Sequence, residues 1–531
     1  MEKTSNKNSG GFVKSIFILS VGGLVAKLLG AFYRIPLTNV VGSYGMGIYQ
    51  LVFPLFSLLL TISTAGIPVA VSKLVAEKTA VGDRYAAKRI FSLSLAALSI
   101  LGLVCSLLLF VLSDSIAAMQ GNADASFAYK LISPAVFLVC VISAYRGYFQ
   151  GLLHMTPTAL SQIIEQVVKM SVGLYCAVKF MPDVLKAVNG AVLAVTLSEL
   201  AAAIFLAVLY FKRKDKQFNT VEVKSDFKVK PTLKRLLLLC LPITLSGLII
   251  PLTQLVDSVL VLNIIKQTNA TELYGLWAGP VHSLLNMPVV LTLGIATAIV
   301  PAVSEHYAKD DFDGAAKKAA FSVKLTTAVG LPCVAGLIVL AYPVTKLLYG
   351  GLSHEEIFLA SQMVVAAGAS ILFLSLVQTS TALLQAGGRL YAPVLFLFGA
   401  TVVKTVCCVL LLKNPSVGIF GAPLSSVICY FVACSGDLLY IVHVQKIPLS
   451  LSETLFKPLA CTLVMTVFLM AVRNIAQHFL PNAAAVFVLI AFGGLIYFVM
   501  TVLLKVFDKS EAERLPVVGR YLKKMYGENE K

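Results

Sequence analysis

Apolar runs of twenty residues or more, separated by short polar turns, set the pattern of this chain from Phe12 to Leu504. As helices, stretches of about 20 apolar residues cross the roughly 30 Å of hydrocarbon in a bilayer. We count fourteen such spans. Those used below are the first (Phe12–Leu37), second (Leu51–Leu74), fifth (Thr158–Lys179), sixth (Asn189–Phe211), seventh (Leu233–Leu262), eighth (Leu276–Val300), eleventh (Ala392–Leu412), twelfth (Gly418–Val442) and fourteenth (Ala484–Leu504). Pro54, Pro242, Pro251, Pro288 and Pro332 fall inside spans. Neighbouring helices can satisfy the carbonyls that such prolines free. The predicted fold class is therefore an all-α polytopic membrane protein.

The pattern repeats. Tyr49…Pro54-Leu-Phe-Ser-Leu-Leu59 returns as Tyr274…Pro280-Val-His-Ser-Leu-Leu285, and Gly66-Ile-Pro-Val-Ala-Val71 as Gly294-Ile-Ala-Thr-Ala-Ile299. Glu77 and Asp83 follow Gly66 at the same offsets as Glu305 and Asp311 follow Gly294. Gln150 matches Gln385, and Lys169 matches Lys404. The repeat starts after an even number of crossings, so two six-span lobes share one topology and are expected to face each other across a substrate path. The predicted organisation is an N-lobe at 1–211, a basic linker at 212–232 and a C-lobe at 233–446, then two further spans at 447–504 and a tail at 505–531.

Composition and charge agree. The chain is 58% hydrophobic and only 13% charged, with a mean hydropathy of +0.87, values foreign to a soluble globule. The net charge of +17 is unevenly placed. Lys and Arg crowd alternate loops, among them Lys78–Arg89, Lys212–Arg235 and the tail from Lys505. The intervening loops hold only Lys130, Lys186, Lys266, Lys346, Lys413 and Arg473. By the positive-inside rule both termini are cytoplasmic. The excess charge reads as topology and attraction to anionic lipid, not as nucleic-acid binding. The first run is too long for a cleavable signal and no small-residue cleavage site follows it. All ten cysteines lie in apolar runs without metal-ligand spacing or a redox pair, so neither disulfide, metal nor cofactor is expected.

Charge inside the spans is the functional signal, because a mid-bilayer charge costs a few kcal/mol or more and must face a cavity or a partner. Lys27 and Arg34 stand seven residues apart on one helix face. Snorkelling is the plain alternative, and it suits Arg34 better than the deeper Lys27. Gln162, Glu165, Gln166 and Lys169 form a stripe down the fifth span, with Glu165 and Lys169 spaced to pair at i,i+4. A purely structural pair is the rival reading there. Arg146 lies one turn before Gln150. Asp257, His282, Lys324, Lys404 and Asp437 are scattered through the second repeat. Glu199 and Asp437 occupy matching spans, each placed to satisfy a lysine of its own lobe. A first lobe richer in cations than anions suits an anionic substrate.

The runs Ala26-Lys-Leu-Leu-Gly-Ala-Phe-Tyr-Arg34, Gly66–Glu77, Arg146-Gly-Tyr-Phe-Gln-Gly151 and Pro157–Lys169 resemble the MurJ/SpoVB-type flippases of the MOP exporter superfamily, notably its stage V sporulation protein B branch. The resemblance implies alternating-access export of an undecaprenyl-diphosphate-linked peptidoglycan precursor (lipid II) or a related oligosaccharide, for cell-wall or polysaccharide synthesis, with no enzymatic step. It places Lys27 and Arg34 on the family's basic positions in the first span and His282 close to the one in the eighth. The second-span basic position is missing, since Leu58-Leu-Leu-Thr61 carries no cation; Arg146, Glu165 and Lys169 are the candidates to complete the site. Some members hold sodium among the seventh, eleventh and twelfth spans. Here Lys404 takes the place of an acidic or amide residue, so it is expected to pair with Asp257 or Asp437 in the metal's stead. The expected partners are the lipid-linked anion, membrane lipids and the cell-wall synthesis machinery, and the expected state is a monomer. A MATE-type drug antiporter shares the fold, but cationic drugs favour an acidic cavity. A membrane enzyme would need a catalytic outer loop, and every outer loop is short.

Overall fold

The computed structural model describes residues 2–64, 66–217, 229–265, 269–508 and Glu511. Most of the expected linker (218–228) and most of the expected tail (509, 510 and 512–531) lie outside the described residues, as does Lys266. Every regular element among the described residues is helical.

The chain divides into two compact units, 1–279 and 280–531. The first holds α1 (Glu2–Thr64), α2 (Ile67–Ala80), α3 (Arg84–Val111), α4 (Ser113–Gln120), α5 (Ala125–Gly151), α6 (Thr156–Phe180), α7 (Val184–Gln217), α8 (Val229–Ile264) and α9 (Ala270–Leu276). The second holds α10 (His282–Ala308), α11 (Phe312–Val339), α12 (Ala341–Leu348), α13 (His354–Ala367), α14 (Ser370–Ala386), α15 (Ala392–Lys413), α16 (Gly421–His443), α17 (Lys457–Phe479) and α18 (Asn482–Leu503). A π-helical turn, Ser452–Phe456, leads into α17. The seventh span, α8, which the repeat assigns to the second lobe, thus belongs to the first compact unit.

Among the described residues eleven helices are long and apolar enough to cross a membrane, and the pair α13–α14, bent by 47°, makes a twelfth. One of the eleven, Gly22–Ala80, contains two crossings, because Gly42 breaks α1 with a φ of 70° that only glycine adopts readily. The break is a single residue, with helix on both sides. Helix α6 is 25 residues long, but its charged and amide stripe keeps it out of a count based on hydropathy. With these two added, the helices account for the fourteen spans read from sequence.

Capping repeats with the duplication. Asp83 accepts the Ala86 N–H (2.9 Å) to start α3, and Asp311 accepts the Gly314 N–H (2.8 Å) to start α11. Such caps satisfy amides that the first helical turn leaves open. The Gly314 N–H and His306 together hold the Asp311 carboxyl below the usual carboxylate range. In the first unit α2, α3, α5 and α7 share a core rich in aromatics: Phe91 lies against Tyr145, Tyr148 and Tyr210 at centroid distances of 5.2, 4.7 and 4.8 Å. Pro54 has no N–H to offer the Gln50 carbonyl one turn earlier, and the Tyr274 hydroxyl donates to that oxygen instead (3.4 Å). This ties α9 to α1.

Candidate functional site

The polar side chains of the first unit converge where α1, α5, α6 and α7 meet. Gly30 of α1 lies against the Gln166 amide of α6, and Gly173 of α6 lies against the Tyr33 ring, which a side chain at 173 would have to displace. With α1 this close, the α6 stripe faces protein instead of lipid. Arg146 of α5 reaches into it: Nε donates to Ser161 Oγ (3.0 Å) and Nη2 to Glu165 Oε2 (3.2 Å). Gln166 Nε2 donates to Glu165 Oε1 (3.1 Å). Lys169 Nζ lies 6.0 Å from the centroid of the Tyr33 ring, within cation–π range. Glu199 of α7, 3% exposed, faces Glu165, Arg146 and Lys169. Arg34 interacts with Lys169 and Tyr49.

This geometry corrects one sequence expectation. Glu165 spends its ion pair on Arg146 and not on Lys169, although the i,i+4 spacing favoured the lysine. The reason is tertiary: Arg146 arrives from the neighbouring helix with a planar, two-pronged donor that serves Ser161 and Glu165 at once. Side-chain exposures of 14% for Arg146 and 19% for Glu165 make the pair largely buried. Arg146 therefore does not snorkel.

Lys27 stands apart. It is exposed on the surface of its own unit, on the flank of α1 that also carries Arg34. Val25 and Phe32, exposed apolar residues of the same helix, point elsewhere. Counting Arg34, Arg146 and Lys169 against Glu165 and Glu199, the cluster carries a surplus of positive charge, and Lys27 adds to it. Tyr33 Oη, Gln162 Oε1 and Gln166 Oε1 are buried without hydrogen-bond partners among the described residues. Sequence reasoning singled out the stripe but missed Tyr33 and Ser161. Gly30, which faces Gln166, and Gly173, which faces Tyr33, were the signal that α1 and α6 touch.

Asp257, 6% exposed, belongs to the first unit, whereas His282, Lys404 and Asp437 belong to the second. His282 opens α10. Lys404 is 5% exposed and Asp437 1%. Asp437 accepts from Ser380 Oγ (3.0 Å) and Thr381 Oγ1 (3.5 Å), so its hydrogen bonds go to hydroxyls and not to Lys404. Thr401 and Thr405, flanking Lys404, donate to carbonyls of their own helix (both 2.9 Å). Among the described residues no group of three or more His, Cys, Asp or Glu is arranged to hold a metal.

The chain matches the family model described as polysaccharide biosynthesis protein over residues 12–307 and the MatE model over residues 242–410. It is 29% identical over 521 residues to the stage V sporulation protein B of Bacillus subtilis (strain 168), covering 96% of this chain and 99% of that one. With the lipid II flippase MurJ of the same organism it shares 26% identity over 425 residues, covering 76% of this chain and 77% of that one. A solved structure of lipid II flippase MurJ in an inward closed conformation superposes with a TM-score of 0.71 at 15% identity, covering 92% of this chain and 98% of that chain. These likenesses, the helical fold and the two-fold repeat lead to one conclusion: the chain belongs to the polysaccharide biosynthesis protein family, within the MOP superfamily of multi-pass membrane transporters.

Proposed function

We propose that the protein is an alternating-access flippase that moves an undecaprenyl-diphosphate-linked peptidoglycan precursor, or a related lipid-linked oligosaccharide, from the inner to the outer leaflet of the plasma membrane. The observation that carries this reading is the cationic surplus around α1. Lys27 and Arg34 share a flank, and Arg34 leads into a cluster in which Arg146 and Lys169 face Glu165 and Glu199. A diphosphate presents several anionic oxygens, and charge-assisted hydrogen bonds to Arg and Lys are the strong way to hold them. In this reading Lys27 and Arg34 grip the diphosphate. Arg146, Glu165 and Lys169 fix α6 against α1 behind them. Both termini are cytoplasmic, and the two six-span repeats rock about the site. Family relatives named for lipid II export and for sporulation support the substrate class.

The MatE match over residues 242–410 supports a second reading, a drug or cation antiporter. The two separate in proteoliposomes containing a fluorescent undecaprenyl-diphosphate sugar. Addition of dithionite outside should bleach the inner-leaflet pool faster when the protein is present and not when Lys27 is replaced by alanine. Uptake of a cationic dye against a proton or sodium gradient, with no lipid movement, would favour the antiporter.

A further inference from the structure

The second unit contains a buried ion-pair cluster that the transport reading does not use. Lys324, on α11, is an ammonium with its side chain only 4% exposed. It donates to Glu511 Oε2 at 2.7 Å and to Glu453 Oε2 at 3.3 Å. The Phe507 ring covers it, 5.7 Å from Nζ to the centroid. The partners come from chain segments outside the six-span repeat. Glu453 sits in the π-helical turn before α17, and Glu511 follows the last span, α18.

The segment after α18 is packed down. Val506 is fully buried and Phe507 nearly so, in a small core with Ala328 of α11 and Cys461 of α17. Phe507 also meets Phe321 edge-on at 6.1 Å. Lys457 Nζ donates to the Lys505 carbonyl (3.2 Å), and Glu511 Oε2 also accepts the Asp508 N–H (2.9 Å), which closes the turn on itself. Beside these contacts is a cavity of about 220 Å³ lined by Lys317, Phe321, Lys324, Glu453, Thr454 and Glu511, among others.

The count of carboxylates is what matters. One buried ammonium needs one anionic partner to avoid the penalty of an unpaired buried charge. Lys324 has two. When Glu511 leaves, Glu453 still neutralises it, so Glu511 can detach without stranding a charge. A permanent anchor has no need of that redundancy. We propose that Lys505–Asp508 and Glu511 form a releasable strap. Closed, it fastens the last two spans to α11 with Lys324 as its post. Open, it uncovers the cavity and lets α17 and α18 shift against α11. This holds whatever the cargo is.

The test is limited trypsin digestion of the purified full-length protein in detergent, following the Lys505–Val506 bond by mass spectrometry. Cleavage there requires the strap to lift, since Val506 and Phe507 are buried, and its rate follows the population of the open form. Glu511→Gln should raise the cleavage rate about tenfold while the melting temperature of the whole protein stays close to the parent's. Glu453→Gln should raise it less, because its contact is longer and 41% of that side chain is exposed. The double substitution should strip Lys324 of both partners and lower the melting temperature. Unchanged cleavage at Lys505–Val506 in Glu511→Gln would overturn the proposal. So would global unfolding of that single variant, which would make Glu511 a fixed structural anchor.

Discussion

Replacing Arg146 with methionine removes the guanidinium that holds α6 against α5 and leaves Glu165 buried beside Glu199, with Lys169 and the Gln166 amide as its remaining support. Losing one partner of a buried pair costs about 3–5 kcal/mol. Glu165 is 19% exposed, so partial hydration places the loss at the lower end, about 3 kcal/mol. For a unit of 279 residues, an unfolding entropy near 2.1 cal/mol/K per residue amounts to about 0.6 kcal/mol/K. The melting temperature of that unit should therefore fall by about 5 °C. A thiol-reactive dye reports it directly in a variant whose sole cysteine is Cys140, which is 1% exposed in the first unit and becomes reactive only on unfolding. Arg146→Met combined with Glu165→Gln should recover most of the loss, since no charge is then stranded. Melting of Arg146→Met within about 1 °C of the parent, or a double variant worse by the sum of both singles, would refute the buried-pair argument.

Three other outcomes follow from the same account. Lys27→Arg should keep much of the transport while Lys27→Ala abolishes it with normal accumulation, and Arg34→Ala should be milder; the dithionite assay ranks them. In a cysteine-free background, single cysteines at Asn122 or Asn269 should react with an impermeant reagent applied outside the cell, and one at Asp83 should stay protected until the membrane is opened. The reverse pattern would invert the topology. Because Lys404 carries a positive charge in the eleventh span, replacing sodium by choline or potassium at constant membrane potential should leave transport unchanged, and a stop would reinstate a sodium site.

Much of the fold was legible because bilayer physics writes it along the chain. Apolar length marked the spans, and matched offsets such as Gly66–Asp83 and Gly294–Asp311 marked the duplication, down to the two capping aspartates. Elements that depend on tertiary neighbours were less legible. Spacing along one helix suggested a Glu165–Lys169 pair, but nothing local tells that Arg146 arrives from α5 to claim the carboxylate. Asp437 likewise looked like a partner for a lysine, whereas Ser380 and Thr381 from α14 supply its hydrogen bonds. Lys324 appeared as one scattered charge because Glu453 and Glu511 lie 129 and 187 residues away in sequence. The break in α1 is local by contrast, since one residue with positive φ, Gly42, suffices to bend the helix while its flanks stay helical.

The central claim, export of a lipid-linked wall precursor by way of the α1 cations, is tested most directly in a bacterial strain depleted of its own lipid II flippase. Expression of this chain should restore growth and the appearance of labelled precursor on the outer leaflet, and Lys27→Ala, accumulating to the same level, should restore neither. Failure of the unaltered protein to move the precursor, or full rescue by Lys27→Ala, would contradict the account.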